Sequence, residues 1–145
     1  MRMFSFTCKI NQSKKQINMG SKKIIETSKA PAPIGPYSQA VVCNNMVFIS
    51  GQIPIDPETN ELVEKGIEKE THQVMKNLHE ILKESGINFD HAIKTTIFLS
   101  DMSLFAKVNE VYGSYFSESF PARETVAVKG LPKNVNVEIS MIAAL

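Results

Sequence analysis

The sequence predicts an α+β fold with the element order ββ(β)αβαββ, in which two helices cover one face of a mixed β-sheet. Two segments carry apolar residues at helical spacing, and β-branched, apolar segments flank each of them. Loops rich in proline and glycine separate these elements. With 145 residues, of which 43% are apolar, the chain is long enough to build one hydrophobic core.

The first part of the fold is predicted to be a short strand, an ordered loop and a β-hairpin. Residues 22–26 form the strand, and three prolines and a glycine exclude regular structure from residues 28–37. Residues 38–43 and 46–50 form the hairpin, because the Asn-Asn dipeptide between them tolerates the positive φ values of a type I′ turn. A second proline-containing loop follows and continues to Gly66.

The first helix is predicted from the most regular pattern in the chain. Glu68 and Glu70 stand in its first turn, where acidic residues are favoured, and Gly86 lies just beyond its end. Its stripe comprises Ile67, Thr71, Val74, Met75, Leu78, Ile81 and Leu82.

The second half of the chain is predicted to add a strand, a helix and two more strands. Residues 92–99 form the strand, Asp101 caps the helix, and Pro121 ends it. Residues 124–128 and 135–143 form the last strands, and the second of these alternates between apolar and polar residues. The stripe of the second helix comprises Leu104, Phe105, Val108, Tyr112, Tyr115 and Phe116.

One face of the predicted sheet lacks helices. Each helix connects two strands by a crossover, and right-handed crossovers place both helices on the same face. Residues 46–49 and 95–99 are apolar on both faces, so the uncovered face needs another cover. We therefore expect a homo-oligomer with its active site at the subunit boundary.

Composition and spacing exclude several classes of function. Lys and Arg total 16 against 15 Asp and Glu, so neither nucleic acid nor a membrane is an expected partner. Cys8 and Cys43 lack metal-binding or disulfide spacing, and His72 and His79 do not have the spacing of a helical metal pair, so no metal is expected. Nucleotide, esterase and calcium motifs are absent, and no cofactor is expected.

The first 20 residues are basic, with no acidic residue before Glu26. We expect residues 1–20 to be an N-terminal extension or a targeting segment, followed by a single domain over residues 21–145. A second expectation is that the chain starts at Met19 instead. The expected location is the cytoplasm, or a mitochondrion or plastid if the extension is a transit segment.

Arg123 is the first candidate for a functional residue. Arg2 is the only other arginine, so lysine is the usual cation of this chain. A planar guanidinium donates two parallel hydrogen bonds to a carboxylate, which lysine does not reproduce. The residues alone leave two interpretations open: a clamp for a substrate carboxylate, or a structural arginine paired with an acid.

Glu138 and Gly51 are further candidates. Glu138 interrupts an apolar strand, so its carboxylate either points to water, as is usual, or lies in a pocket. In a pocket, partial desolvation would raise the pKa of this carboxyl toward values useful for proton transfer. Gly51 either lets a ligand approach the backbone or makes a simple turn.

Several motifs occur in one order along the chain: Ala32-Pro-Ile-Gly-Pro-Tyr37, Ser50-Gly-Gln-Ile-Pro54, Lys94-Thr-Thr-Ile-Phe98, Val108-Asn109, Phe120-Pro-Ala-Arg123 and Val137-Glu138-Ile139. With these motifs, roughly residues 22–145 resemble the Rid family of reactive-intermediate deaminases, in particular the RidA subgroup, also labelled YjgF or endoribonuclease L-PSP.

This resemblance implies a chorismate-mutase-like homotrimer with a pocket at each subunit interface. It implies hydrolysis of 2-iminobutanoate, 2-iminopropanoate and 2-aminoacrylate to 2-oxo acids and ammonia. It also implies that Arg123 binds the substrate carboxylate and that Glu138 positions or activates water. The substrate-binding residues would be Tyr37, Ser50, Gly51, Asn109 and Thr125. Many relatives have cysteine where this chain has Thr125, so no thiol chemistry is expected.

Two other functions are alternatives. One is a carboxylate-binding or chaperone-like trimer without turnover, because a fold does not fix a function. The other is a ribonuclease or translation inhibitor, which the near-neutral charge and the lack of a basic stripe disfavour.

Overall fold

The computed structural model describes residues 22–145, and the predicted extension over residues 1–20 lies outside them. Eight strands and two helices follow one another along these described residues. They are β1 Lys23–Ile25, β2 Ala40–Cys43, β3 Met46–Gln52, β4 Ile55–Asp56, β5 Glu61–Leu62, α1 Ile67–Glu84, β6 Ala92–Leu99, α2 Phe105–Gly113, β7 Ala122–Ala127 and β8 Val137–Ala144. Short 3₁₀ turns precede β6, α2 and β8. Among residues 22–145, no helix has the length and apolar character needed to cross a lipid bilayer.

Six strands form one mixed sheet with the order β1-β2-β3-β8-β6-β7. β6 and β7 are parallel, and every other neighbouring pair is antiparallel. β4 and β5 form a separate small hairpin. Both helices pack against the same face of the six-stranded sheet, which confirms the predicted α+β architecture.

The hydrophobic core lies between the sheet and the helices. In β8, for example, every second residue is buried on the helix side, because the side chains of a strand alternate between the two faces of the sheet. Within residues 22–145 no helix covers the other face, as predicted. On this face the exposed fractions of the residue surface are 57% for Ile24, 45% for Phe48 and 45% for Val126.

The local predictions were confirmed in part. Asn44 and Asn45 have φ values of 50° and 59°, as a type I′ turn requires. The prediction that α2 continues to Pro121 was wrong, because α2 ends at Gly113. There the Ser114 hydroxyl donates to the Val111 carbonyl at 2.6 Å, a side-chain bond that competes with further helical bonds.

Two further details were missed. The loop predicted after β3 contains the β4–β5 hairpin. Asp101 caps the 3₁₀ turn before α2 rather than α2 itself, since its Oδ1 accepts a hydrogen bond from Ser103 N at 2.7 Å.

Candidate active site

Glu138 lies on the sheet face that has no helices. On β8 it alternates with Val137 and Ile139, which are buried on the helix side, and it pairs with Phe98 of β6. Its side chain is partly buried, and this desolvation raises the pKa of its carboxyl above the ordinary value. Within residues 22–145 no cation forms an ion pair with it. The structure therefore favours the pocket position over the exposed one.

Gly51 makes room for the Glu138 carboxylate. β3 contains a bulge here, because Ile49 pairs with Met141 while Gln52 pairs with Ile139, which gives β3 one extra residue. A methyl group on Gly51 would overlap Glu138 Oε1 and come within 2.8 Å of its Cδ. Close approach, and not a turn, is the reason for glycine at this position.

A pocket of about 250 Å³ opens in front of Glu138. It is lined by Ile34, Tyr37, Ser50, Gly51, Ile53, Pro132 and Glu138. The Tyr37 hydroxyl accepts a hydrogen bond from Ile34 N at 3.2 Å, and Ser50 Oγ donates to the Ser38 carbonyl at 2.7 Å. Four of the predicted site residues thus lie together in this pocket.

Gln39 organises the proline-rich loop that closes one side of the pocket. Its buried amide accepts a hydrogen bond from Thr27 N at 2.7 Å and donates to the Pro31 carbonyl at 2.9 Å. A loop rich in proline has few backbone donors of its own, so a side-chain amide must satisfy its carbonyls. Gln39 was not among the predicted site residues, and its only signal in the sequence is a glutamine between the loop and β2.

Arg123 lies on the opposite face of the sheet, on the edge strand β7. It pairs with Thr95, whose hydroxyl is hydrogen-bonded to the Tyr112 hydroxyl of α2 at 2.8 Å. The guanidinium carbon lies 5.1 Å from the centroid of the Tyr112 ring and 5.7 Å from that of Phe105. Both are cation–π distances, so the aromatic rings hold the guanidinium while its N–H groups stay available.

Arg123 has no acidic partner among residues 22–145. Its neighbour Glu124 points to the other face, where it pairs with Lys94 at 2.7 Å. The hydrogen bond from Lys94 lowers the pKa of the Glu124 carboxyl below its ordinary value. The charge of Glu124 is therefore neutralised away from Arg123.

The Arg123 pocket has a volume of about 440 Å³ and is lined by Asn109, Tyr112, Gly113, Phe120, Pro121 and Arg123. Thr125 shares the face of Arg123, and its buried hydroxyl has no hydrogen-bond partner among residues 22–145. Tyr112 and Phe105 were not among the predicted site residues, although their positions on the stripe of α2 were predicted.

Comparison with known proteins identifies the family. The family described as Endoribonuclease L-PSP matches residues 27–145. The chain belongs to this family, which includes the Rid proteins. A mouse protein named 2-iminobutanoate/2-iminopropanoate deaminase is 49% identical over 122 residues, which are 84% of this chain and 90% of that protein.

Solved structures of Rid proteins share the fold. The Rid-family protein YyfA from Yersinia pestis superposes with a TM-score of 0.84 at 48% identity, covering 86% of this chain and 100% of that one. E. coli TdcF, crystallised with bound serine, has a TM-score of 0.81 at 41% identity, covering 85% and 98%.

In this Rid-family chain, the two predicted catalytic residues do not meet. Arg123 shares the helix side of the sheet with Thr95, whereas Glu138 shares the uncovered side with Phe98. Asn109 and Thr125 accompany Arg123, and the other predicted residues accompany Glu138. One copy of the chain thus carries two separate pockets, the clamp pocket around Arg123 and the acid pocket around Glu138.

Proposed function

We propose that this protein hydrolyses 2-imino and 2-enamino acids, such as 2-iminobutanoate, 2-iminopropanoate and 2-aminoacrylate, to 2-oxo acids and ammonia. The observation that carries the proposal is Arg123, whose guanidinium rests on two aromatic rings and has no carboxylate partner within residues 22–145. Such a guanidinium is ready to bind a carboxylate with two hydrogen bonds. The name of the mouse relative supports this class of substrate.

We further infer that each site is shared between two copies in a homotrimer. The carboxylate and the imine carbon of the substrate are bonded neighbours, so the groups that contact them must approach within a few ångströms. Arg123 and Glu138 lie on opposite faces of one sheet, so the backbone of the sheet lies between their side chains. A second copy packed on the exposed apolar residues of the uncovered face would bring its clamp pocket to an acid pocket.

The reaction needs orientation and one proton-transfer group. Arg123 holds the carboxylate, and Glu138 accepts a proton as water adds to C2 of the iminium ion. The resulting carbinolamine takes a proton on nitrogen, the C–N bond breaks, and ammonia leaves with the bonding electrons. The hydroxyl group of C2 then loses its proton and becomes the carbonyl of the 2-oxo acid. The raised pKa of Glu138 suits a group that both accepts and returns a proton.

The first experiment measures imine loss directly. Threonine dehydratase generates the imine, and its disappearance is compared with 2-oxobutanoate formation with and without this protein. We expect wild-type protein to accelerate the step and Arg123→Ala to lower kcat/KM by about ten- to a hundredfold, since the variant loses about 1.5–3 kcal/mol of charged hydrogen bonding.

Lys129→Ala is the matched control, because it removes an exposed cation outside both pockets. Normal turnover of the Arg123→Ala variant would show that the clamp assignment is wrong. Binding of 2-oxobutanoate without any acceleration by wild-type protein would instead favour a carboxylate-binding function.

The second experiment tests the sharing of the site. Arg123→Ala and Glu138→Gln proteins are each expected to be nearly inactive. After the two are dissociated, mixed in equal amounts and reassembled, about a quarter of the interfaces of a random ring would contain both intact groups. Recovery of about a quarter of wild-type activity supports the shared site, and no recovery contradicts it.

A further inference from the structure

We propose that Glu70 is a positioning residue that fixes the acid pocket through the loop before β8. The inference rests on the proposed function, because it assigns Glu70 a role in placing Glu138. Glu70 is the fourth residue of α1, and only 4% of its surface is exposed. A carboxylate so deeply buried must be held by hydrogen bonds, because burial without them is costly.

The partners of this carboxylate connect the start of α1 to the entry of β8. Oε2 accepts a hydrogen bond from Asn136 N at 2.9 Å, and Oε1 accepts one from Asn136 Nδ2 at 2.7 Å. Oε1 also accepts a bond from Gly66 N at 3.3 Å. Two of the three bonds thus fix one residue, Asn136, which precedes β8 directly.

Asn136 is held from its other side by the end of β6. Its carbonyl accepts a hydrogen bond from Ser100 N at 3.0 Å, and its Oδ1 accepts one from Ser100 Oγ at 2.9 Å. The backbone and side chain of Asn136 are therefore bonded to two separate elements. Such a position is fixed in both location and orientation.

The loop that leads into Asn136 is strained. Lys133 and Asn134 have φ values of 54° and 55°, in the left-handed region. This region costs an ordinary side chain about 1–2 kcal/mol, and lysine lacks the short polar group that relieves it. Such a conformation persists only where surrounding contacts hold it, and the bonds to Glu70 and Ser100 are such contacts.

This loop determines the shape of the acid pocket. Pro132 lines the pocket beside Glu138, and Glu138 follows Asn136 by two residues. If Asn136 were released, the loop could relax, and water would reach the Glu138 carboxylate more freely. Glu70 thus acts on the environment of Glu138 and not on the clamp pocket.

The test uses Glu70→Gln. Glutamine keeps the shape of the side chain, but its NH₂ group would face an N–H group of Asn136 and cannot accept a hydrogen bond from it. We expect turnover to fall about tenfold, while the Kd of 2-oxobutanoate changes less than about twofold. The acidic limb of the pH profile should move to lower pH, because added hydration lowers the pKa of Glu138. Glu68→Gln is the control: it removes an exposed carboxylate from the same turn and should behave like wild type.

A second measurement separates this inference from the proposed function. Titration of the Glu138 carboxyl carbon by NMR needs no turnover, and its pKa should be lower in the Glu70→Gln variant than in wild type. Inactive wild-type protein would overturn the proposed function, whereas identical titration of Glu138 in both proteins would overturn the positioning role. An equal loss of turnover and of 2-oxobutanoate binding would overturn it as well.

If Glu70→Gln folds poorly, Asn136→Ala replaces it. This variant keeps the bond from the backbone N–H of residue 136 to the carboxylate and removes only the side-chain bonds. The same pattern is expected with a smaller amplitude. An unchanged pH profile in folded Asn136→Ala protein would overturn the inference.

Discussion

Replacing Gly51 with alanine should lower the activity of the protein while leaving its stability nearly unchanged. The added methyl group would overlap Glu138 Oε1 and lie 2.8 Å from its Cδ, whereas carbon atoms in contact are about 3.5–4.0 Å apart. The carboxylate must therefore move by about 1 Å. Because a misplacement of about 1 Å costs about a hundredfold in rate, we expect a loss of that order in kcat/KM.

The fold should tolerate the same change. Gly51 is not among the glycines with positive φ, so alanine fits its backbone conformation, and the clashing atoms belong to the free end of a side chain. We expect the free energy of unfolding in urea to change by less than about 1 kcal/mol. The imine-loss assay and the urea titration are run on the same preparation.

Gly130→Ala is the matched control, because its methyl group would meet no atom within 4 Å and its φ is not positive. This variant should retain wild-type turnover. Normal turnover of folded Gly51→Ala protein would show that catalysis does not depend on the placement of Glu138 against Gly51.

Two further changes test the charge of Glu138 and the uncovered face. The pKa of Glu138 is raised in the folded protein, so its ionisation opposes folding once the pH exceeds the ordinary glutamate value. Glu138→Gln should therefore raise Tm at neutral pH, with the gain vanishing below that value; a Tm that never rises would contradict the desolvated position. Phe48→Asp places a charge among the exposed apolar residues and should reduce the sedimentation coefficient and the turnover together, whereas unchanged assembly would show that copies associate elsewhere.

The predictable parts of the fold were those with strong periodicity. α1 and β8 were assigned because their apolar residues repeat over many positions. β4 and β5 were missed because strands of two residues are too short to show alternation. The end of α2 was misplaced because Phe116 continues the apolar stripe but packs against other rings from the irregular segment after the helix.

The candidate site was predictable in its residue types but not in its geometry. The motifs around Arg123 and Glu138 marked them as candidates, yet the faces on which they lie follow from strand register. Register depends on long-range pairing, which a single sequence does not show. Gln39 and Glu70 were not recognised for the same reason, since their partners lie 12 and 66 residues away.

If each site is shared between copies, as proposed, the placement of Arg123 and Glu138 on opposite sheet faces has a consequence for the amount of protein that a cell needs. A chain separated from its partners would then carry no complete site. As the abundance of the protein fell, complete sites would be lost through dissociation of the copies. Capacity to remove a reactive imine would then rise more steeply than protein level, so modest changes in expression would be amplified.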